Sequence, residues 1–185
     1  MRNQTASVLA KLALMLAVFA LSSARTASAA DAQLDADAKT ALESLYQSSP
    51  AAKAVGASAK AILVFPKIIK AGFIVGAQAG DGALVRGGAT DGYYNIAAAS
   101  YGLQAGIQSF GYAMFLMTDS AVEYLRTTSG FELGVGPSIV VVDAGMANTL
   151  STSTLKSDIY AFTFGQTGLM AGLGLQGTKI TKVKK

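Results

Sequence analysis

Histidine, cysteine and tryptophan do not occur in this chain, and proline occurs only three times in 185 residues. Each absence removes a class of chemistry. Without His or Cys there is no Ser-His-Asp triad, no cysteine nucleophile and no ordinary zinc site. Disulfides and lipidation of an N-terminal cysteine are excluded by the same gap. Charge is also scarce, 14% of residues against 51% hydrophobic. A chain so composed has ample material for a core and little for general electrostatic capture of nucleic acid.

The basic balance is smaller than it looks. Of the fifteen basic residues, Arg2, Lys11 and Arg25 sit in the first 29 residues, which read as a secretory leader. Arg2 and Lys11 supply a positive start, Leu12 to Leu21 is an apolar run too short to span a bilayer, and Ala27-Ser28-Ala29 is a small-residue cleavage site. The expected organisation is a leader at 1–29 and a single domain at 30–185, exported to the periplasm or secreted. In that domain twelve basic residues face eleven acidic ones, and the charge is segregated. Asp31, Asp35, Asp37 and Glu43 come first, Lys53, Lys60, Lys67 and Lys70 follow, and Lys179, Lys182, Lys184 and Lys185 close the chain. Segregation with so little net charge points to local docking on an anionic partner, with no nucleic acid among the partners.

Leu34, Ala38, Ala41, Leu42 and Leu45 fall at helical spacing. Ser49 can cap a second helix with Pro50 at its first position, where the missing N–H costs nothing. That helix is expected to carry Lys53 and Lys60 and to end before Pro66. From Ala71 the period becomes two, and Gly80-Asp81-Gly82 reads as a hairpin turn between strands. Further strands are expected over 93–99, 102–117, 131–142, 158–165 and 168–182. One helix interrupts them near 119–129, with Ser120 and Glu123 matching a capping box. Glycines spread through strands fit a strongly bent sheet. The fold class is therefore α+β: two N-terminal helices packed on a curved, barrel-like, mostly antiparallel sheet, with a third helix.

Motifs for catalysis are weak. Gly172-Leu-Gly-Leu-Gln-Gly177 spells a dinucleotide fingerprint but has no room for the helix and acidic residue that the motif requires. Asp81 and Asp143 could pair as two carboxylates, yet both stand where turns and strand ends favour aspartate. No catalytic residue, metal ligand or cofactor is assigned. The lysines carry the best functional signal. Lys53, Lys60, Lys67 and Lys70 lie among Phe65, Ile68, Ile69 and Phe73, so ammonium groups could meet phosphates while Phe65 or Phe73 sits at headgroup level. Composition alone also allows an ordinary solvated helix face beside core hydrophobes.

The same residues carry a family likeness. Phe65-Pro66-Lys67, Lys70-Ala71-Gly72-Phe73, Gly76, Gly80-Asp81-Gly82, Tyr101-Gly102-Leu103-Gln104-Ala105-Gly106, Gly134-Val135-Gly136-Pro137 and Gly168-Leu169-Met170-Ala171-Gly172 together resemble the SYLF domain family in its bacterial exported branch. The resemblance implies phospholipid binding through basic residues near the start of the domain, onto which Lys67 and Lys70 fall. Lys53 and Lys60 join them on charge alone. Some fungal members bind actin, an unlikely partner in an exporting compartment. The chain departs from eukaryotic members at Gly92-Tyr93-Tyr94-Asn95-Ile96, where those carry Trp-Ser and Pro. The function expected is non-enzymatic, peripheral binding of anionic phospholipid headgroups at a membrane surface. The alternatives are a structural outer-membrane β-barrel and, less favoured, a hydrolase with an Asp-based site.

Overall fold

A computed structural model describes residues 29–72, 75–101, 106–128, 130–132, 136–142, 155–168 and 178–183. The expected leader lies almost wholly outside these residues, as do Phe73, Asp143 and the Gly172–Gly177 run. The chain divides into two units at Ala36 and Asp37. In the first, the described residues 29–36 are helical. The remainder concerns the second unit.

Helix α1 occupies residues 29–48, so its Asp37 onward belongs to the second unit. It is followed at once by α2 (Pro50–Gly56), where Ser49 Oγ accepts the Ala52 N–H at 3.2 Å as the N-cap. The expected second helix is thus real but shorter than its apolar run. It stops at Gly56, and Ala61–Gly72, Pro66 included, forms strand β1. Ile62, Val64, Ile68 and Ile69 are β-branched, which favours the pleated state once neighbouring strands exist to pack against.

β2 (Val75–Arg86), β3 (Ala89–Tyr101) and β4 (Gly106–Leu116) follow. Then come α3 (Asp119–Thr127), β5 (Phe131–Glu132), β6 (Ile139–Val142), β7 (Ile159–Gly168) and β8 (Lys179–Lys182). The sheet order is β5-β8-β3-β2-β1-β4-β7-β6, antiparallel except for the parallel β6–β7 pair, and the sheet curls as a half-barrel. The cap of α3 is Thr118, two residues before the expected Ser120. Its Oγ1 accepts the Ala121 N–H and donates to Asp158 Oδ1, both at 3.2 Å. Asp158 Oδ2 also accepts Ser138 N–H at 3.0 Å and Ser138 Oγ–H at 2.7 Å. One carboxylate thereby fastens the starts of α3, β6 and β7, and these hydrogen bonds from Ser138 hold its pKa below the usual carboxylate value.

Gly80-Asp81-Gly82 is not a turn. It lies inside β2, and the β2–β3 reversal is made by Gly87 and Gly88, at φ +59° and +84°. Two consecutive positive-φ residues are what a tight hairpin of this kind requires. Gly80 and Gly82 instead allow close approach: a Cβ on Gly82 would stand 2.5 Å from Phe65 Cδ1, and one on Gly80 2.7 Å from the Lys67 carbonyl oxygen. Both contacts fall at a bulge in β1, where the register slips between Phe65 and Ile68. β1 is central, so a proline without an N–H can sit in it only at such a bulge.

Each face of the sheet has its own core. On one, Leu63, Phe65, Ile68, Leu84, Ile96, Tyr112 and Met114 pack with Ala121, Val122 and Leu125 of α3. On the other, Ile62, Val64, Ala83, Ala113, Phe115 and Phe162 pack with Ala38 and Leu45 of α1 and Ala52 and Val55 of α2. Phe115 and Phe162 meet edge to face with centroids 5.3 Å apart, a favoured aromatic geometry.

Candidate functional site

The bulge decides where the β1 side chains go. Phe65 and Ile68 both face the α3 core because the extra residue restores the inward parity after Pro66. Lys67 is left exposed, Ile69 is exposed beyond it, and Lys70 turns inward at 3% exposure. A spacing of three gathers side chains on a helix but separates them on a strand. Lys67 and Lys70 therefore point to opposite sides of the sheet.

Two corrections to the expected site follow. Phe65 is fully buried in the core and cannot serve as a surface foot. The four lysines do not form one patch. Lys53 is exposed on α2 and Lys60 is exposed just before β1, with its N–H bonded to the Leu116 carbonyl. Seven extended residues then separate Lys60 from Lys67, on the order of 20 Å. Phe73 lies outside the described residues.

A different surface gathers around Lys67. Among the described residues of the second unit, α1 and α2 pack over the Ile62–Val64 end of their face of the sheet. At the other end Ile69, Val75 and Ile107 are 50%, 66% and 69% exposed. Ala71, Ala77, Ala79, Ala97 and Ala99 are exposed between them. The registers Ile69↔Ala79, Ala71↔Ala77, Ala71↔Ile107, Ala77↔Ala99 and Ala79↔Ala97 make these residues one contiguous apolar field. Soluble monomers rarely leave such a field open without a use for it.

Between this field and α1 lies a cavity of about 410 Å³. Phe110, Phe164 and Ala41 give it apolar walls. Thr40, Ser44, Ser109 and Thr167 contribute hydroxyls, and Asp37 and Lys67 contribute charge. Ser109 and Thr167 hydroxyls are 2.8 Å apart across β4 and β7. Lys67 makes no ion pair among the described residues. The arrangement can take an anionic group at the lysine, hydrogen-bond its oxygens, and lay an apolar portion along the field.

Val75 and Ile107 carry no mark of exposure in the sequence, since apolar residues default to the core, whereas Ile69 already stood beside the lysine group. The available signal was alanine at 77 and 79 in β2 and at 97 and 99 in β3, small residues that share one face.

Asp81, the other carboxylate considered for chemistry, is exposed on β2 and accepts from Asn95 Nδ2 at 3.0 Å. Among the described residues no group of three or more acidic side chains could hold a metal ion.

A curled antiparallel sheet with helices on each face, a lysine lifted from it by a bulge and an open apolar field define a binding domain. Residues 97–185 match the family described as Ysc84, Las17-binding protein actin regulator, in agreement with the resemblance to SYLF domains. SYLF domains are binding domains associated with lipid or actin-related partners. No curated protein matches the chain.

Proposed function

We propose that this domain binds anionic phospholipid surfaces peripherally, with Lys67 meeting headgroup phosphate and Ile69, Val75 and Ile107 entering the headgroup layer. The observation that carries the reading is the exposed aliphatic field with, at its border, a lysine that makes no ion pair among the described residues. Among the described residues no acidic side chain lies between Ile69 and Ile107, and Asp81 borders the field beyond Ala79 on β2. A lysine near an anionic surface contributes about 1 kcal/mol, and partial burial of aliphatic side chains supplies the rest of a reversible attachment. Export through the 1–29 leader and residence in the periplasm or outside the cell belong to the same proposal. Lys53 and Lys60 act at most as distant electrostatic support. A barrel spanning the membrane would need its lipid-facing band free all round, whereas α1 and α2 pack on that face.

The test is sedimentation with vesicles of mixed phosphatidylglycerol and phosphatidylcholine. Binding is expected to fall as salt rises from 0.05 to 0.5 M, by screening. Lys67→Glu should weaken it about thirtyfold at low salt, since the reversal removes ~1 kcal/mol of attraction and adds ~1 kcal/mol of repulsion. Equal sedimentation of wild type and Lys67→Glu at every salt concentration would refute the role of Lys67.

A further inference from the structure

The cavity between α1 and the sheet sits where two strands slip against β4. β1 gains its extra residue between Phe65 and Ile68, opposite Tyr112 and Phe110. β7 shifts register between Phe164 and Thr167, opposite Gly111 and Ser109, with Gly165 at φ +59°. Two irregularities at one level of β4 bend the sheet there. A Cβ on Gly111 would collide with the Phe164 ring, so that ring lies over the glycine and floors the cavity. Beside it the Ser109 and Thr167 hydroxyls meet at 2.8 Å. On α1, Asp37, Thr40, Ala41 and Ser44 have the spacing of one helix face and form the opposite wall.

The lining carries one charge of each sign, Asp37 on α1 and Lys67 on the β1 bulge. Lys67 makes no ion pair among the described residues, so the two charges line one cavity without joining. A ligand that is only anionic gains from Lys67 and loses against Asp37, whereas a ligand with both charges gains from each. Asp37 and Thr40 hold other interactions as well, and a carboxylate with about four acceptor sites has capacity beyond one partner. Quaternary ammonium groups are held by aromatic cages. Carboxylate and hydroxyl acceptors suit a primary ammonium with its N–H donors instead. The volume, about 410 Å³, falls in the range of small-ligand sites.

We infer that this cavity seats a phosphoethanolamine group, with Lys67 on the phosphate and Asp37 on the ammonium. The hydroxyls of Ser44, Ser109 and Thr167 donate to remaining phosphate oxygens or accept remaining N–H groups. Register sets the exit. Ser109 pairs with Ile69, and Ile107 lies two residues along β4 on the same face. Acyl chains on the seated group therefore leave across the exposed aliphatic field. This rests on the phospholipid reading and narrows it: an anionic surface attracts the domain, and one ethanolamine lipid of that surface enters the cavity. The same chemistry fits free O-phosphoethanolamine.

The test is NMR titration with dihexanoyl phosphatidylethanolamine below its micelle concentration. The phosphatidylcholine and phosphatidylglycerol analogues are the controls, and O-phosphoethanolamine represents the soluble source. Amide signals of Ser44, Ser109 and Thr167 should move with the ethanolamine lipid, and both controls should bind at least tenfold more weakly. O-phosphoethanolamine binding as tightly as the lipid assigns the cavity to the free ester, and tighter binding of the lipid assigns it to headgroups. Asp37 is exposed, so its replacement leaves the core intact. Asp37→Asn should lose at least tenfold for the ethanolamine lipid while phosphatidylglycerol binds no more weakly than before, and Asp37→Lys should prefer phosphatidylglycerol. Loss of fold cannot produce such a reversal. No binding of either ethanolamine probe, equal binding of the three lipids, signals moving only elsewhere, or an unchanged preference in Asp37→Asn overturns the seat. If sedimentation with phosphatidylglycerol vesicles still depends on Lys67 in that case, the seat alone falls. Selective, Asp37-dependent binding of the probes by a protein that sediments with no vesicle retires the membrane-surface reading alone.

Discussion

Replacing Ile107 by serine separates membrane contact from fold stability. Ile107 is 69% exposed, so the folded protein already leaves most of the side chain in water. Fully burying an isoleucine is worth about 1.5–3 kcal/mol relative to exposure. Roughly two-thirds of that, ~1–2 kcal/mol, is available only when the residue enters a membrane. The third already buried bounds the folding cost at about 0.5–1 kcal/mol. Ile107→Ser should thus lower vesicle affinity about five- to thirtyfold while the thermal midpoint moves by only a few degrees. Ile69, half exposed, sits diagonally across from Ile107 on the same field. Adding Ile69→Ser should bring the combined loss to roughly 20- to 400-fold, less any coupling between neighbours. The assay is sedimentation with vesicles of one fixed phosphatidylglycerol content at 0.1 M salt, run beside thermal unfolding of each variant. If the double variant stays folded and sediments like wild type, the exposed field has no part in membrane contact and the reasoning fails.

Two further expectations concern groups buried or tied within the fold. Burial raises the pKa of the Tyr112 phenol, whose oxygen finds no hydrogen-bond partner in the core. The proton is held more tightly folded than unfolded. That contribution to stability is whole below the unfolded value near 10 and is lost as pH rises through the raised folded value. Tyr112→Phe should be neutral or stabilising by up to about 1 kcal/mol at pH 7 and should blunt alkaline unfolding, read by denaturant midpoints at pH 7 and 11. Asp158 has the opposite sign: its depressed pKa adds stability above the unfolded value near 3.9, lost as pH falls through the folded value. Asp158→Asn should therefore lower the thermal midpoint at pH 7 and shrink its drop between pH 6 and pH 3. An unchanged pH profile would remove Asp158 from the acid response.

Local chemistry carried most of the element plan. The Ser49-Pro50 start of α2 and the third helix near 119–127 follow from capping and periodicity. The outward parity of Tyr160, Phe162 and Phe164 from the α3 core follows from strict alternation, and all three pack on the α1–α2 face. The errors share one origin. Ala61–Phe65 is apolar at every position, which a buried helix and a strand buried on both faces produce alike. Only the presence of β2 and β4 on either side of β1 resolves it. Gly80-Asp81-Gly82 has the letters of a turn, but its glycines answer to the Phe65 ring and the Lys67 carbonyl, contacts made through the register of another strand.

The sequence by itself set the residue inventory. It withheld thiol and imidazole chemistry, placed lysines after an acidic start, and wrote alternation and glycine into one curling sheet with helices before and within it. Tertiary structure alone decided which lysine meets solvent. A single extra residue at Pro66–Lys67 resets the parity of a central strand, sending Lys67 outward and Lys70 into a row with Gln78 and Gln108. Parity in a strand is local, but the bulge that shifts it is fixed by pairing with β2 and β4, residues that lie up to about fifty positions away. The exposed aliphatic field likewise depends on register, since pairing of β1 with β2 and β4 sets Ile69, Ala71, Ala77, Ala79 and Ile107 on one face.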